Sequence, residues 1–119
     1  MFQEAAKTSD IAPGGMKAVE LDRKHIVLCN YEGRFYALER KCGHAAVYLE
    51  RGALTGYVLT CPLHCAQFDI TTGRALSGPV PEHPASKYAD PADPALKTRD
   101  LKTYPVKVED GIIMVDVGI

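Results

Sequence analysis

The sequence lacks the features that mark several large classes of protein. Its 119 residues carry a net charge of -1, which gives no reason to expect nucleic acid or an anionic membrane as a partner. The longest apolar run near the start is interrupted within a few residues, so we expect neither a signal peptide nor a transmembrane helix. We therefore expect a cytoplasmic protein, in which clustered cysteines more often bind metal than form disulfides.

Helical and nucleotide-binding patterns are also missing. No segment shows sustained helical periodicity, and ten glycines with eight prolines suit a chain with many turns. Neither a G-x-G-x-x-G motif nor a P-loop is present to bind a nucleotide. The length suits one domain, so we expect a single domain over residues 1–119.

Short runs rich in strand-forming residues predict an all-β, antiparallel fold, either a sandwich or an open barrel. Two tight hairpin turns are predicted, at Glu32-Gly33 and at Asp110-Gly111. The second dipeptide favours a hairpin because both of its residues tolerate positive φ. The predicted strands are 17–21, 25–30, 34–38, 103–109 and 112–117.

The segment from about residue 79 to 100 departs from that pattern. It carries prolines at positions 79, 81, 84, 91 and 94, and proline supplies no hydrogen bond to a strand ladder. We interpret the segment as a long surface loop, with one helical turn where Asp93 caps and Pro94 stands first.

Three cysteines and two histidines lie between Cys42 and Cys65. They include two Cys/His pairs, Cys42-Gly43-His44 and Cys61-Pro62-Leu63-His64, separated by 16 residues. A single zinc is usually bound by paired ligands of the same kind, whereas each pair here offers one thiolate and one imidazole. This arrangement suits a two-iron cluster, with both cysteines on one iron and both histidines on the other. Zinc in the same four ligands, or cysteines packed as small hydrophobes, remain alternatives.

The motif C-x-H-x₁₆-C-P-L-H closely resembles the cluster-binding segment of Rieske-type [2Fe-2S] ferredoxins of ring-hydroxylating dioxygenase systems. The residues that follow it, Gln67-Phe68-Asp69 and Thr72-Gly73-Arg74-Ala75-Leu76, strengthen the resemblance. Ser77-Gly78-Pro79 resembles the proline loop that covers the cluster, and residues 101–108 resemble the final strands of these ferredoxins. The resemblance covers roughly residues 15–79 and 101–117.

The resemblance implies a ligand set and a fold. Cys42 and Cys61 would bind one iron, and His44 and His64 the other, of one [2Fe-2S] cluster per chain. The Rieske-type fold would be an antiparallel β base with a cluster-binding subdomain inserted at about residues 40–80. Only two other histidines remain, so we expect no mononuclear iron site and no catalytic residues in this chain.

Other cysteines and charges near the motif receive simpler interpretations. We interpret Cys65 as a partly buried thiol beside the second ligand pair, and Cys29 as part of the core. Arg40, Lys41 and Arg51 flank the ligand pairs and are interpreted as solvated surface charges. Tuning of the reduction potential, or docking, is the alternative for these three. His83, in the proline-rich segment, is interpreted as a surface residue.

The resemblance also implies a function. The chain would be a monomeric one-electron carrier, passing electrons from a flavin-type reductase to a terminal oxygenase or similar acceptor. One alternative is a small Rieske-like subunit of a larger reductase complex of the nitrite reductase type. Another is a zinc-stabilised interaction module that uses the same four ligands.

We predict a reduction potential near the low end of the Rieske range, which spans about -150 to +300 mV. Ala66 and Phe68 stand where high-potential members of the family carry a serine and a tyrosine. Hydroxyl hydrogen bonds to cluster sulfur stabilise the reduced, more negative state, so their loss lowers the potential. Protein-film voltammetry measures this quantity, and a midpoint well above zero would contradict the prediction.

Overall fold

The computed structural model describes residues 1–41, 48–62, 66–77 and 100–118. Their helical segments are two three-residue 3-10 turns, Thr8–Asp10 and Leu49–Arg51, and no helix in these ranges is long and apolar enough to cross a membrane. The strands are β1 (Phe2–Lys7), β2 (Met16–Leu21), β3 (Lys24–Tyr31), β4 (Arg34–Glu39), β5 (Ala53–Thr55), β6 (Val58–Thr60), β7 (Gln67–Asp69), β8 (Ala75–Ser77), β9 (Thr103–Tyr104), β10 (Val106–Glu109) and β11 (Ile112–Asp116). All eight pairings among the strands of these described ranges are antiparallel, which confirms the predicted all-β class.

Tight turns with positive φ at both central residues connect three of the hairpins. The predicted turns are confirmed, with φ of 52° and 87° at Glu32-Gly33 and of 50° and 75° at Asp110-Gly111. The β2–β3 hairpin has the same kind of turn at Asp22-Arg23, with φ of 48° and 67°. This geometry matches the right-handed twist of the flanking strands, so each turn fixes the register of its hairpin.

The strands form three sheets, which we name by their place in the chain. The terminal sheet has the order β1-β11-β10, and the central sheet has the order β2-β3-β4-β9. The inserted sheet, β5-β6-β7-β8, lies in sequence between β4 and β9 of the central sheet. Its residues fall within the range predicted for the subdomain, and the single-domain assignment itself remains a prediction.

The central sheet lies between the other two, and β3 is buried on both faces. Ile26 and Leu28 pack in one cluster with residues of the terminal sheet, including Ile113. The alternate residues Val27 and Cys29 pack in a second cluster with residues of the inserted sheet. A strand covered on both faces has a continuous apolar run instead of strict alternation, as residues 26–29 show.

The predicted strand at 103–109 is wrong in one respect, because the structure divides it at Pro105. Thr103–Tyr104 pairs with β4 in the central sheet, whereas Val106–Glu109 pairs with β11 in the terminal sheet. Pro105 has no N–H to donate to a ladder, and its carbonyl accepts a hydrogen bond from the Asp116 amide at 3.0 Å. The chain therefore passes from one sheet to the other at the proline.

Other differences from the predicted strands are small. The three strands predicted before residue 40 are confirmed to within one residue at each end, and β11 ends one residue early. The sequence did not predict β1, which pairs with β11 along the terminal sheet. The loop expected at 79–100, with its helical turn at Asp93-Pro94, lies outside the described residues apart from Asp100.

We predict that Asn30→Ala lowers the free energy of unfolding by about 1–3 kcal/mol, because it removes a buried hydrogen-bond donor. Asn30 is 3% exposed, and its side-chain amide donates to the carbonyl of Ile11 at 2.8 Å. Its side-chain oxygen accepts from the Gly33 amide at 2.9 Å. Urea denaturation measures the loss. Thr55→Ala, at an exposed position of β5, is the control, and equal losses in the two variants would contradict the prediction.

Candidate metal centre

One of the four predicted ligands, Cys61, lies within the described residues. Cys42, His44 and His64 lie in segments 42–47 and 63–65, outside them, as does Cys65. No group of three or more potential metal ligands occurs in the part of the chain that the structure describes. The structure therefore describes the surroundings of the site through the residues that flank these two segments.

The segment that contains Cys42 and His44 begins and ends at neighbouring backbone positions. Lys41 and Tyr48 form an isolated antiparallel bridge. Beside it, the amide of Leu49 donates to the carbonyl of Arg40 at 2.9 Å. The residues that flank segment 42–47 therefore lie side by side and form a short neck, and we use the name first loop for the segment itself.

The segment that contains His64 also has both ends close together. Cys61 directly follows β6, and its amide donates to the carbonyl of Ala66 at 2.7 Å. Cys61 is 1% exposed and Ala66 is fully buried. The β6–β7 hairpin thus places the sulfur-bearing residue at the neck of this second loop, in surroundings from which water is excluded.

Residues at the necks of the two loops belong to one buried hydrophobic cluster. Leu49, after the first loop, belongs to the same buried cluster as Cys61 and Ala66 at the neck of the second. Gly52, three residues after Leu49, lies directly against the end of β6, because a Cβ built there would be 2.0 Å from the carbonyl oxygen of Thr60. The necks of the two loops therefore share one buried cluster, while the meeting of the two ligand pairs remains a prediction.

A third segment begins at the end of the inserted sheet where the second loop begins and ends. Ser77, the last residue of β8, pairs with Gln67, the first residue of β7. The chain returns at Asp100, whose carboxylate accepts a hydrogen bond from the Ala75 amide at 2.8 Å. The residues that flank segment 78–99, which includes most of the predicted proline loop, therefore both lie at β8: Ser77 belongs to this strand, and Asp100 accepts a hydrogen bond from it.

This arrangement fits the donor set of an iron–sulfur cluster. Such clusters are held by cysteine thiolates, and in Rieske centres two histidines replace two of the cysteines on one iron. Cys61 offers a sulfur at the neck of the second loop, and Leu49, Ala66 and Phe68 form a fully buried apolar support around it. Exclusion of water around a cluster is one of the factors that set its reduction potential.

Cys29 is confirmed as part of the core. Its side chain is fully buried on β3, and desolvation raises the pKa of its thiol from 9.0 to about 12. Because the thiolate is the metal-binding form, a thiol that stays protonated at neutral pH is a poor ligand.

The charges beside the loops are only partly as predicted. Lys41 and Arg51 are exposed, whereas Arg40 is not the solvated charge that the sequence suggested. Its guanidinium stacks on the ring of Tyr48 and pairs with the carboxylate of Glu50. Sequence reasoning missed Tyr48 and Glu50, because no motif or periodic spacing links them to Arg40 across the first loop.

Comparison with known families gives the decisive observation. The family model described as the Rieske [2Fe-2S] domain matches residues 1–105. The chain belongs to this Rieske family. The expected family, the Rieske-type fold and the [2Fe-2S] cofactor are thereby confirmed, while the assignment of the four individual ligands remains a prediction.

Curated relatives of this Rieske protein are ferredoxins of similar length. It is 35% identical over 115 residues to the ferredoxin component of the naphthalene 1,2-dioxygenase system of Pseudomonas putida. The aligned residues make up 97% of this chain and 94% of the relative. It is 36% identical over 113 residues to the ferredoxin component of the p-cumate 2,3-dioxygenase system of Pseudomonas putida, covering 93% and 81%.

Solved structures agree with this family assignment. The Sphingomonas yanoikuyae B1 ferredoxin superposes with a TM-score of 0.77 at 25% identity, covering 98% of both chains. A chain of the complex of reduced oxygenase and oxidized ferredoxin in carbazole 1,9a-dioxygenase superposes with a TM-score of 0.75 at 26% identity. That match covers 96% of this chain and 91% of the other.

We predict that Gly52→Ala reduces cluster content, because its methyl group would overlap the carbonyl of Thr60 and displace the neck of the second loop. Overpacking of this kind costs about 1–3 kcal/mol. Iron and acid-labile sulfide per chain, with thermal denaturation, measure the effect. Gly56→Asn is the control, since Gly56 has open space around it at φ of 59° and asparagine tolerates that conformation. Equal cluster content in both variants would contradict the prediction.

Proposed function

We propose that this Rieske protein is the ferredoxin component of a ring-hydroxylating dioxygenase system, which carries single electrons to a terminal oxygenase. The observation that carries the proposal is its similarity, over almost the whole chain, to ferredoxin components of such systems. The similarity to a chain from an oxygenase–ferredoxin complex supports the same acceptor. In this role the chain is an electron-transfer component, and the hydroxylation belongs to the oxygenase.

The proposed ligands are Cys42 and Cys61 on one iron and His44 and His64 on the other. When bound, the [2Fe-2S] cluster supplies a reversible one-electron couple. The protein supplies the position of each ligand. Cys61 is fixed by the hydrogen bond between its own amide and Ala66, and the buried cluster that includes Leu49 and Phe68 excludes water beneath the loops.

We extend the proposal to the donor and to the state of the carrier. The electron donor would be a flavin-type reductase, and the carrier would be a cytoplasmic monomer that docks with its two partners in turn. A low reduction potential suits this role. Ala66 and Phe68 are both fully buried in the same hydrophobic core group as Cys61. Neither side chain carries a hydroxyl that would stabilise the reduced state of the iron–sulfur cluster.

We predict that the dithionite-reduced protein gives a Rieske-type EPR spectrum, with iron matched by acid-labile sulfide. Anaerobic mixing should then transfer its electron to a terminal oxygenase, and that of the naphthalene 1,2-dioxygenase system is the one to try first. His64→Cys should abolish the Rieske signature, because replacing an imidazole with a thiolate changes the ligands of the histidine-bound iron.

The matched control for the ligand assignment is His25→Cys. His25 is exposed on β3, so the new thiol should leave the spectrum unchanged. A Rieske spectrum that survives in His64→Cys would show that the ligand assignment is wrong. A colourless protein with one zinc after anaerobic preparation would overturn the electron-carrier proposal itself.

A further inference from the structure

Three side chains meet across the neck of the first loop. Arg40 lies on the chain entering the loop, whereas Tyr48 and Glu50 lie on the chain leaving it. The Cζ atom of Arg40 is 3.8 Å from the centroid of the Tyr48 ring. The Nε atom of Arg40 donates to Oε1 of Glu50 in a short hydrogen bond. A single guanidinium therefore binds both a ring and a carboxylate on the opposite side of the neck.

These contacts are shielded from solvent. The side chains of Arg40 and Glu50 are 23% and 15% exposed, compared with 43% and 61% in the surface pair Lys107–Glu109. Exposed ion pairs contribute little because water and salt screen them. Both an ion pair and a cation–π contact become stronger as they lose water.

The backbone of the described residues provides little closure at this position. Lys41 and Tyr48 form an isolated bridge that belongs to none of the described strands. Within the described ranges its neighbour is one hydrogen bond, from the Leu49 amide to the Arg40 carbonyl. One rung of ladder is a weak restraint against the conformational entropy that a closed loop loses. The side-chain contacts of Arg40 are therefore well placed to keep the neck closed.

We propose that Arg40, Tyr48 and Glu50 form a clamp that holds the first loop closed and thereby keeps Cys42 and His44 in position on the cluster. The three are positioning residues, since they act through the loop and not on the irons directly. The inference rests on the proposed function, because it takes Cys42 and His44 as ligands.

We expect loss of Arg40 alone and loss of both charges of the Arg40–Glu50 pair to differ in their effect on the clamp. Oε2 of Glu50 is buried and has no hydrogen-bond partner among the described residues. Removing the guanidinium leaves this carboxylate buried without a compensating charge, which is more costly than removing the whole pair. Arg40→Gln should therefore be more damaging than the double variant Arg40→Gln/Glu50→Gln.

The experiment follows loss of the visible absorbance of the purified holoprotein after an iron chelator is added. We expect Arg40→Gln and Tyr48→Leu to lose the cluster about tenfold faster than the parent, since each removes a shielded charge contact. Tyr48→Phe keeps the ring and should stay within about twofold of the parent. The double variant should recover part of the retention that Arg40→Gln loses, which measures the coupling between the two residues.

Arg51→Gln is the matched control, because Arg51 is an exposed arginine on the same 3-10 turn as Glu50. The EPR spectrum of each reduced variant adds a second readout. A displaced loop should broaden the spectra of Arg40→Gln and Tyr48→Leu, whereas Tyr48→Phe and Arg51→Gln should match the parent. A purely global loss of stability would speed cluster loss without broadening the spectrum.

Two results separate failure of the clamp from failure of the proposed function. If the parent binds a two-iron cluster but Arg40→Gln and Tyr48→Leu release it no faster than Arg51→Gln, the clamp is wrong. If the parent binds no such cluster, the proposed function fails instead. Should Arg40→Gln not fold, the comparison of Tyr48→Leu with Tyr48→Phe still decides, since both leave the Arg40–Glu50 pair intact.

Discussion

Burial of β3 on both faces is the constraint on which the rest of the structure depends. Its alternate side chains belong to two separate clusters, so the central sheet needs a partner layer on each side. The terminal sheet supplies one layer and the inserted sheet the other. Because both layers pack on the same strand, the inserted sheet is held against a base that is itself fully paired and covered. The loops that emerge from the inserted sheet therefore start from a rigid foundation.

The candidate site follows from where the strands of the inserted sheet end. β6, β7 and β8 bring the neck of the second loop and Ser77 to one end of the inserted sheet, and Leu49, at the neck of the first loop, packs in the same buried cluster as Cys61. The strands thus determine where the segments with the proposed ligands begin, and short hydrogen-bonded necks hold the flanking residues of each segment together. A metal centre built from the proposed ligands needs such an arrangement, because neither Cys/His pair holds all four of them.

The sequence predicted best where the physical cause is local. Asp110-Gly111 and Glu32-Gly33 favour a particular turn through their own backbone conformations, so those hairpins were predictable. The metal motif was predictable because ligand type and spacing together specify the chemistry. The division at Pro105 was missed, since choosing between two sheets depends on strands far away in sequence. β1 was missed for the same reason, because its partner β11 lies at the other end of the chain. The Arg40–Glu50 pair was missed because its two residues lie on opposite sides of the first loop.

The pairing of β1 with β11 has a consequence for how the molecule forms. Phe2 lies opposite Asp116 in the terminal sheet, so one layer of the core needs contacts between residues separated by most of the sequence. Contacts of such long range carry a larger loop-closure entropy cost than those within a hairpin. During synthesis β1 is made before β11, so this pairing cannot form until β11 has been made. The central hairpins join residues close in sequence, so we expect the face of β3 that the terminal sheet covers to be protected from water and from other chains only after these hairpins have formed.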